Sequence, residues 1–243
     1  MTWRILDGKK TKGGLEEGYQ EAGYRSGWQV LCNSVWALVA AIIWNAMYSP
    51  DSIQAKIFGW MIEANQEPYT SEGWCVVGGG WSRGLIYAAL GHFGCCLGDT
   101  LASELGILSG SPPRLVTTWK VVPPGTNGAM SVGGTVWSVV GGTVMGIMMG
   151  VSLMIENKGC DMSIFAGMVG WGAFAGGFGS LVDSLMGATI QRTRYSSDRR
   201  LVLQDGSFGG KDVRVISGLD LLTNNQVNLL ASLLTCVLVG MMA

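Results

Sequence analysis

Between Lys120 and Glu156 the chain carries no charged side chain. Soluble domains use about 25% charged residues, so an uncharged run this long is foreign to them. It is long enough to cross a bilayer, whose hydrocarbon core takes about 20 apolar residues of helix. The feature recurs. Residues 26–50 and 221–243 hold no charge, and 164–190 hold only Asp183. Backbone inside lipid must satisfy its own hydrogen bonds, which favours helices. The fold class is therefore an all-α, polytopic transmembrane helix bundle of about five spans. They are placed near 27–48, 81–105, 129–154, 164–190 and 225–242. One integral membrane domain covers 27–243, after a charged lead-in over 1–26.

Composition excludes other classes. Only 14% of residues are charged, and the net charge is −1. No basic field exists to grip nucleic acid, and no signal peptide opens the chain. The polar stretch from Asp51 to Gly80 reads as a loop, with a short interfacial helix over Ile57–Ala64. Trp28 and Trp44 are expected as interface anchors. The six cysteines form no CxxC, so neither a disulfide framework nor a zinc site is expected. Most are read as small buried hydrophobes.

Glycines at 142, 146 and 150, and at 172 and 176, put small residues on one face of the third and fourth spans. Such spacing allows helices to pack closely in lipid.

Lys and Arg set the expected orientation. With five spans, the lead-in and the loops 106–128 and 191–224 share one side. That side carries thirteen of the sixteen Lys and Arg residues. The opposite side holds Lys56 and Lys158, with Arg83 at a boundary. The excess marks the cytoplasmic face.

Four polar clusters then converge on one level. Asp99 and Glu104 end the second span, and Asp183 ends the fourth. Asn224, Asn225 and Asn228 open the fifth, and Pro123–Gly128 lead into the third. Counted from Leu85, Asp99 lies about 21 Å along its helix at 1.5 Å per residue, in the cytoplasmic third of the core. A carboxylate at such a depth is costly unless it faces a cavity, a partner or a cation. Asp99 and Ser103 share a helix face, and Asp183-Ser184-Leu185 echoes Asp99-Thr100-Leu101 on a span of the same direction. Two carboxylates from two helices suit Mg²⁺, which takes oxygen ligands and keeps sites for phosphates. Gly125, Thr126, Asn127 and Gly128 form a loop at a helix start, where backbone N–H groups attract anions. Lys120 lies just upstream. The single histidine, His92, is expected as a hydrogen-bonded core residue.

The stretches GDTLASELG (98–106), SPPRLVTTWKVVPPGTNGAMS (111–131), GSLVDSLMGAT (179–189) and NNQVNLL (224–230) resemble the transmembrane protein 19 family. That family is also described as integral membrane domain of unknown function 92. The resemblance runs from about Arg25 to the last residue. Family members carry further N-terminal membrane segments, so this chain is expected to begin after them. A plant plastid branch is phytyl-phosphate kinase. The resemblance thus implies phosphoryl transfer from a nucleoside triphosphate to a polyprenyl or isoprenoid phosphate at the cytoplasmic face. Asp99 and Asp183 would hold Mg²⁺ as catalytic residues, with Glu104 in support. Ser103, Lys120, Gly125, Thr126, Asn127 and Gly128 would meet phosphates, and Asn225 and Asn228 would orient the substrate. The alternative is a transporter or a non-catalytic membrane protein. The expected setting is a lipid bilayer, multi-pass, with an endomembrane such as the endoplasmic reticulum favoured.

Overall fold

A computed structural model describes residues 16–17, 26–59, 68–70, 74–106, 110–203 and 212–243. Most of the lead-in and the second half of the expected interfacial helix lie outside the described residues. A short helix, α3, is found at Ile53–Phe58, four residues earlier than expected and overlapping the expected one only at Ile57 and Phe58.

Among the described residues, four helices are long and apolar enough to cross a membrane: α4 (Gly80–Leu105), α5 (Val132–Glu156), α6 (Ser163–Thr189) and α7 (Asn224–Met242). The bounds of α5, α6 and α7 follow the runs poor in charge, because charge is what a span excludes, whereas α4 carries Arg83, Asp99 and Glu104 towards its two ends. The expected first span is broken in two, α1 (Gly27–Cys32) and α2 (Val35–Tyr48). At the break, Ser34 Oγ donates back to the Val30 carbonyl at 2.8 Å and Ser34 N–H bonds Leu31 O at 3.1 Å. A serine that bonds its own preceding turn competes with helix continuation. α2 is tied to α7 by Trp36 Nε1–H donating to Leu229 O at 2.9 Å.

Close glycine contacts set the bundle. A Cβ at Gly142 on α5 would stand 2.0 Å from the Gly172 carbonyl oxygen of α6, and one at Gly176 would stand 2.2 Å from Ser138 O. The two glycine stripes therefore face each other, backbone against backbone. α4 joins at the same point: a Cβ at Gly98 would lie 2.7 Å from Gly176 Cα. Gly94 approaches Gly172 and Gly98 approaches Gly176, so α4 and α6 run parallel.

One end of the bundle gathers the basic loops. There β2 (Arg114–Leu115) and β3 (Ala129–Met130) form a hairpin that leads into α5, and β4 (Thr193–Ser196), β5 (Leu201–Leu203) and β6 (Val213–Ser217) form a sheet. β1 (Glu16–Glu17) adds a parallel edge to β5, giving the order β1-β5-β4-β6. The sequence reading treated 191–224 as loop. Strand-forming residues such as Val213, Val215 and Ile216 account for the sheet, since β-branched side chains suit a pleated surface.

The opposite end corrects the cysteine reading at two positions, while Cys32, Cys95 and Cys236 are free and buried as expected. Cys75, before α4, is bonded to Cys160, between α5 and α6, across a sequence separation of 85. The absence of CxxC says nothing about one bridge between distant loops. Nearby, Trp44, Tyr48, Tyr69 and Trp74 pack ring against ring at 5.4–5.5 Å between centroids. Trp44 is thus part of a packed cluster, with Nε1–H donating to Ser82 Oγ at 2.8 Å, rather than a lone interface anchor. Tyr69 also donates to the Asn157 side chain.

Candidate functional site

A small cleft, with about 20 Å³ of free space, opens near the basic end, lined by Asn33, Cys95, Cys96, Asp99, Thr100, Asp183 and Asn228. Four parts of the chain build it. α4 supplies Cys95, Cys96, Asp99 and Thr100, α6 supplies Asp183, α7 supplies Asn228, and the α1–α2 break supplies Asn33. The glycine contact places the two acids. Gly98 brings α4 against α6 at Gly176, so the next residue, Asp99, opens into the same space as Asp183 two turns further along α6.

Hydrogen bonds hold the lining. With its amide turned to donate, Asn228 reaches Asp183 Oδ2 at 2.9 Å and the Asn224 carbonyl at 3.1 Å. The orientation of that amide follows from its neighbours, with acceptors on the side given to its nitrogen and donors on the side given to its oxygen. Thr100 Oγ1 donates to Cys96 O at 2.8 Å, which leaves its oxygen able to accept or ligate. His92 lies one turn deeper than Cys96, is 0% exposed, and puts Nε2 3.9 Å from Cys96 Sγ.

The expected residues divide into two groups. Asp99, Asp183 and Asn228 meet in the cleft. Ser103 and Glu104 continue α4 beyond it, where exposed Ser103 donates to Thr100 O at 3.0 Å. Asn225 is half-buried on α7 and is not part of the lining. The loop Gly125–Gly128 docks elsewhere. Thr126 is buried and donates to Pro123 O at 2.6 Å. Asn127 donates through its backbone N–H to Thr193 Oγ1 at 3.1 Å and through Nδ2 to Arg192 O at 3.2 Å. Gly128 has φ +74°, and a Cβ there would meet Ala188 N at 2.3 Å and Ser184 O at 2.4 Å. The loop therefore clamps the hairpin onto the end of α6. Lys120 is exposed on the hairpin, away from the cleft.

Sequence reasoning missed Asn33 as a site residue. An asparagine inside an otherwise apolar first span was the available signal. Cys95 and Cys96, expected as small buried residues, line the cleft as well.

A family model for integral membrane protein DUF92 matches residues 4–236. The chain belongs to the DUF92 integral membrane family. Protein PGR of Arabidopsis thaliana is 34% identical over 233 residues, covering 95% of this chain and 73% of that protein. An uncharacterized membrane protein of Methanocaldococcus jannaschii is 38% identical over 130 residues, 52% of this chain and 50% of its own length. One of Synechocystis is 32% identical over 111 residues, covering 46% and 40%. The chain thus spans half or less of these last two relatives. No solved structure matches.

For a DUF92 protein the donor chemistry of the cleft is informative. Its oxygen donors are two carboxylates, a hydroxyl and two amides. Among the described residues, no group of three or more His, Cys, Asp and Glu is placed to hold a metal. A hard divalent cation that borrows ligands from phosphates, as Mg²⁺ does, fits Asp99 and Asp183.

Proposed function

We propose that this cleft transfers a phosphoryl group from a nucleoside triphosphate to an isoprenoid phosphate. The observation that carries the reading is the meeting of Asp99, Asp183 and Asn228, from three helices, in one cleft inside an apolar bundle. An oxygen of the lipid phosphate attacks the terminal phosphorus of the nucleotide. A new P–O–P link forms, the bond to the bridging oxygen breaks, and nucleoside diphosphate leaves. Such reactions depend mostly on positioning and charge neutralisation. Asp99 and Asp183 would hold Mg²⁺, which when bound neutralises phosphate charge and aligns the reacting oxygens. Asn228 fixes the Asp183 carboxylate. Thr126 and Asn127 hold the hairpin against α6, and Glu104 and Ser103 border the mouth on the side from which nucleotide arrives.

The basic end is proposed to face the cytosol. Two independent features support this: the Lys and Arg excess there, and the Cys75–Cys160 bridge at the other end, which suits an oxidising compartment.

The test is turnover of a prenyl phosphate by purified protein in nanodiscs, with and without Mg²⁺. Asp99→Asn and Asp183→Asn should each abolish it, whereas wild-type activity in Asp99→Asn would remove Asp99 from the reaction. One feature favours a second reading, transport: the break between α1 and α2 opens at the cleft, as interrupted helices do at transporter sites. Flux of isoprenoid phosphate in proteoliposomes without nucleotide would favour it.

A further inference from the structure

Trp119 is one of two non-glycine residues with positive φ among the described residues, at φ 55°. Bulky side chains rarely adopt this conformation, and here it is held by hydrogen bonds. Arg114 Nη1 donates to Trp119 O at 2.8 Å, Trp119 N–H donates to Leu115 O at 2.8 Å, and Leu115 N–H donates to Lys120 O at 3.0 Å. These bonds could serve any residue. What they present is an indole that is 69% exposed, followed by exposed Lys120 and by Val121, 45% exposed. Among the described residues, the tryptophan and the cation of this turn, and the valine that bridges back to Arg114, are left turned out of the core.

The hairpin cannot stray from the bilayer. Leu115 pairs with Ala129, and β3 ends one residue before Ser131, the N-cap of membrane helix α5. Trp119 lies a single tight turn from Leu115. At about 3.3 Å per residue, the tip stays within reach of the headgroup layer where α5 emerges. Tryptophan is enriched in that layer because its ring is apolar and its N–H is polar. Lysine beside it suits the phosphates of anionic lipids.

We propose that the Trp119–Val121 tip seats in the headgroup layer at the basic end, with Trp119 as the interfacial anchor and Lys120 taking lipid phosphate. This surface is separate from the acidic cleft and does not depend on phosphoryl transfer. It is coupled to the cleft mechanically, because the other end of the same loop, at Gly128, rests on Ser184, the neighbour of Asp183.

The experiment is site-specific photo-crosslinking of the full chain in nanodiscs of phosphatidylcholine, with or without phosphatidylglycerol. Benzoylphenylalanine replaces Trp119 or, in a second variant, Val121, and adducts are identified by mass. A third variant, at exposed Val136 on α5, provides the yield of a membrane-facing position. Phospholipid adducts at 119 and 121 approaching the Val136 yield are expected, enriched in phosphatidylglycerol, with that enrichment lost in Lys120→Gln. Lipid adducts no higher than in unirradiated samples at both tip positions, or protein adducts alone, overturn the proposal. Enrichment that survives Lys120→Gln overturns the role of Lys120.

Discussion

Asn228 of α7 donates to the Asp183 carboxylate of α6 at 2.9 Å, so the orientation of this acid is set by a helix other than its own. A ligand held this way loses its aim when the donor is removed. Asn228→Ala is expected to lower Mg²⁺ affinity or prenyl-phosphate turnover by about 10–100-fold, the usual effect of losing such a supporting bond. A Mg²⁺ titration of turnover measures it. A Mg²⁺ requirement equal to wild type would free Asp183 from dependence on α7.

The backbone contact between α5 and α6 makes a second expectation. Gly142→Ala places a methyl 2.0 Å from the Gly172 carbonyl oxygen. Overpacking of this kind costs about 1–3 kcal/mol, and rigid backbone on both sides puts Gly142 at the upper end. Gly170→Ala is the control, because a Cβ there meets nothing within 4 Å. Denaturation in detergent micelles should separate the two, and equal stability would show that α5 and α6 do not meet at these glycines.

The bridge at the disulfide end should matter for stability and little for chemistry. Cys75→Ser is expected to cost about 2–4 kcal/mol. Turnover of the folded protein should be unchanged, because the cleft lies at the other end of the bundle. Alkylation under non-reducing denaturing conditions should modify Cys32, Cys95, Cys96 and Cys236, the free thiols among the described residues. Modification of all six would show that the bridge does not form.

Asp161 gives a pH dependence. It sits outside the spans, just before α6, and accepts from Ser163 N–H at 2.8 Å and from the Ser163 hydroxyl. Those donors hold its carboxyl below the ordinary value of 3.8. A folded pKa below the unfolded one gives stability that is present above 3.8 and lost as pH falls through the lower folded value. The effect is small, because the group is fully exposed and screened. Acid unfolding curves of wild type and Asp161→Asn should therefore converge only at low pH. A constant offset at all pH values would show that ionisation of Asp161 plays no part.

The spans of α5, α6 and α7 were readable because near-exclusion of charge over some 20 residues marks a membrane helix; α4 was readable in spite of Arg83, Asp99 and Glu104. The convergence of Asp99, Asp183 and Asn228 was readable too, since orientation and depth follow from charge and helical rise. Other features leave no local mark. The Asn33–Ser34 break occupies two residues inside an apolar run, which hydropathy averages away. The pairing of Cys75 with Cys160 depends on where two loops end up, which spacing does not encode. Thr126 and Asn127 looked like phosphate binders because a turn that caps a helix and a turn that holds an anion use the same residue types. Only their partners, Pro123, Arg192 and Thr193, separate the two.

The sulfur atoms of this chain are sorted by level: a bridge at one end, and unbridged thiols at Cys95 and Cys96 beside the acids near the other. With the basic end in the cytosol, as proposed, a copy inserted upside down would meet reversed redox conditions. Its staple would stay open in a reducing cytosol, and its cleft thiols would lie nearest the oxidising side. The loop charges decide topology once, during insertion. In the proposed orientation the Cys75–Cys160 bridge would form, and stabilise by about 2–4 kcal/mol, only in copies whose bridge end reaches the oxidising side.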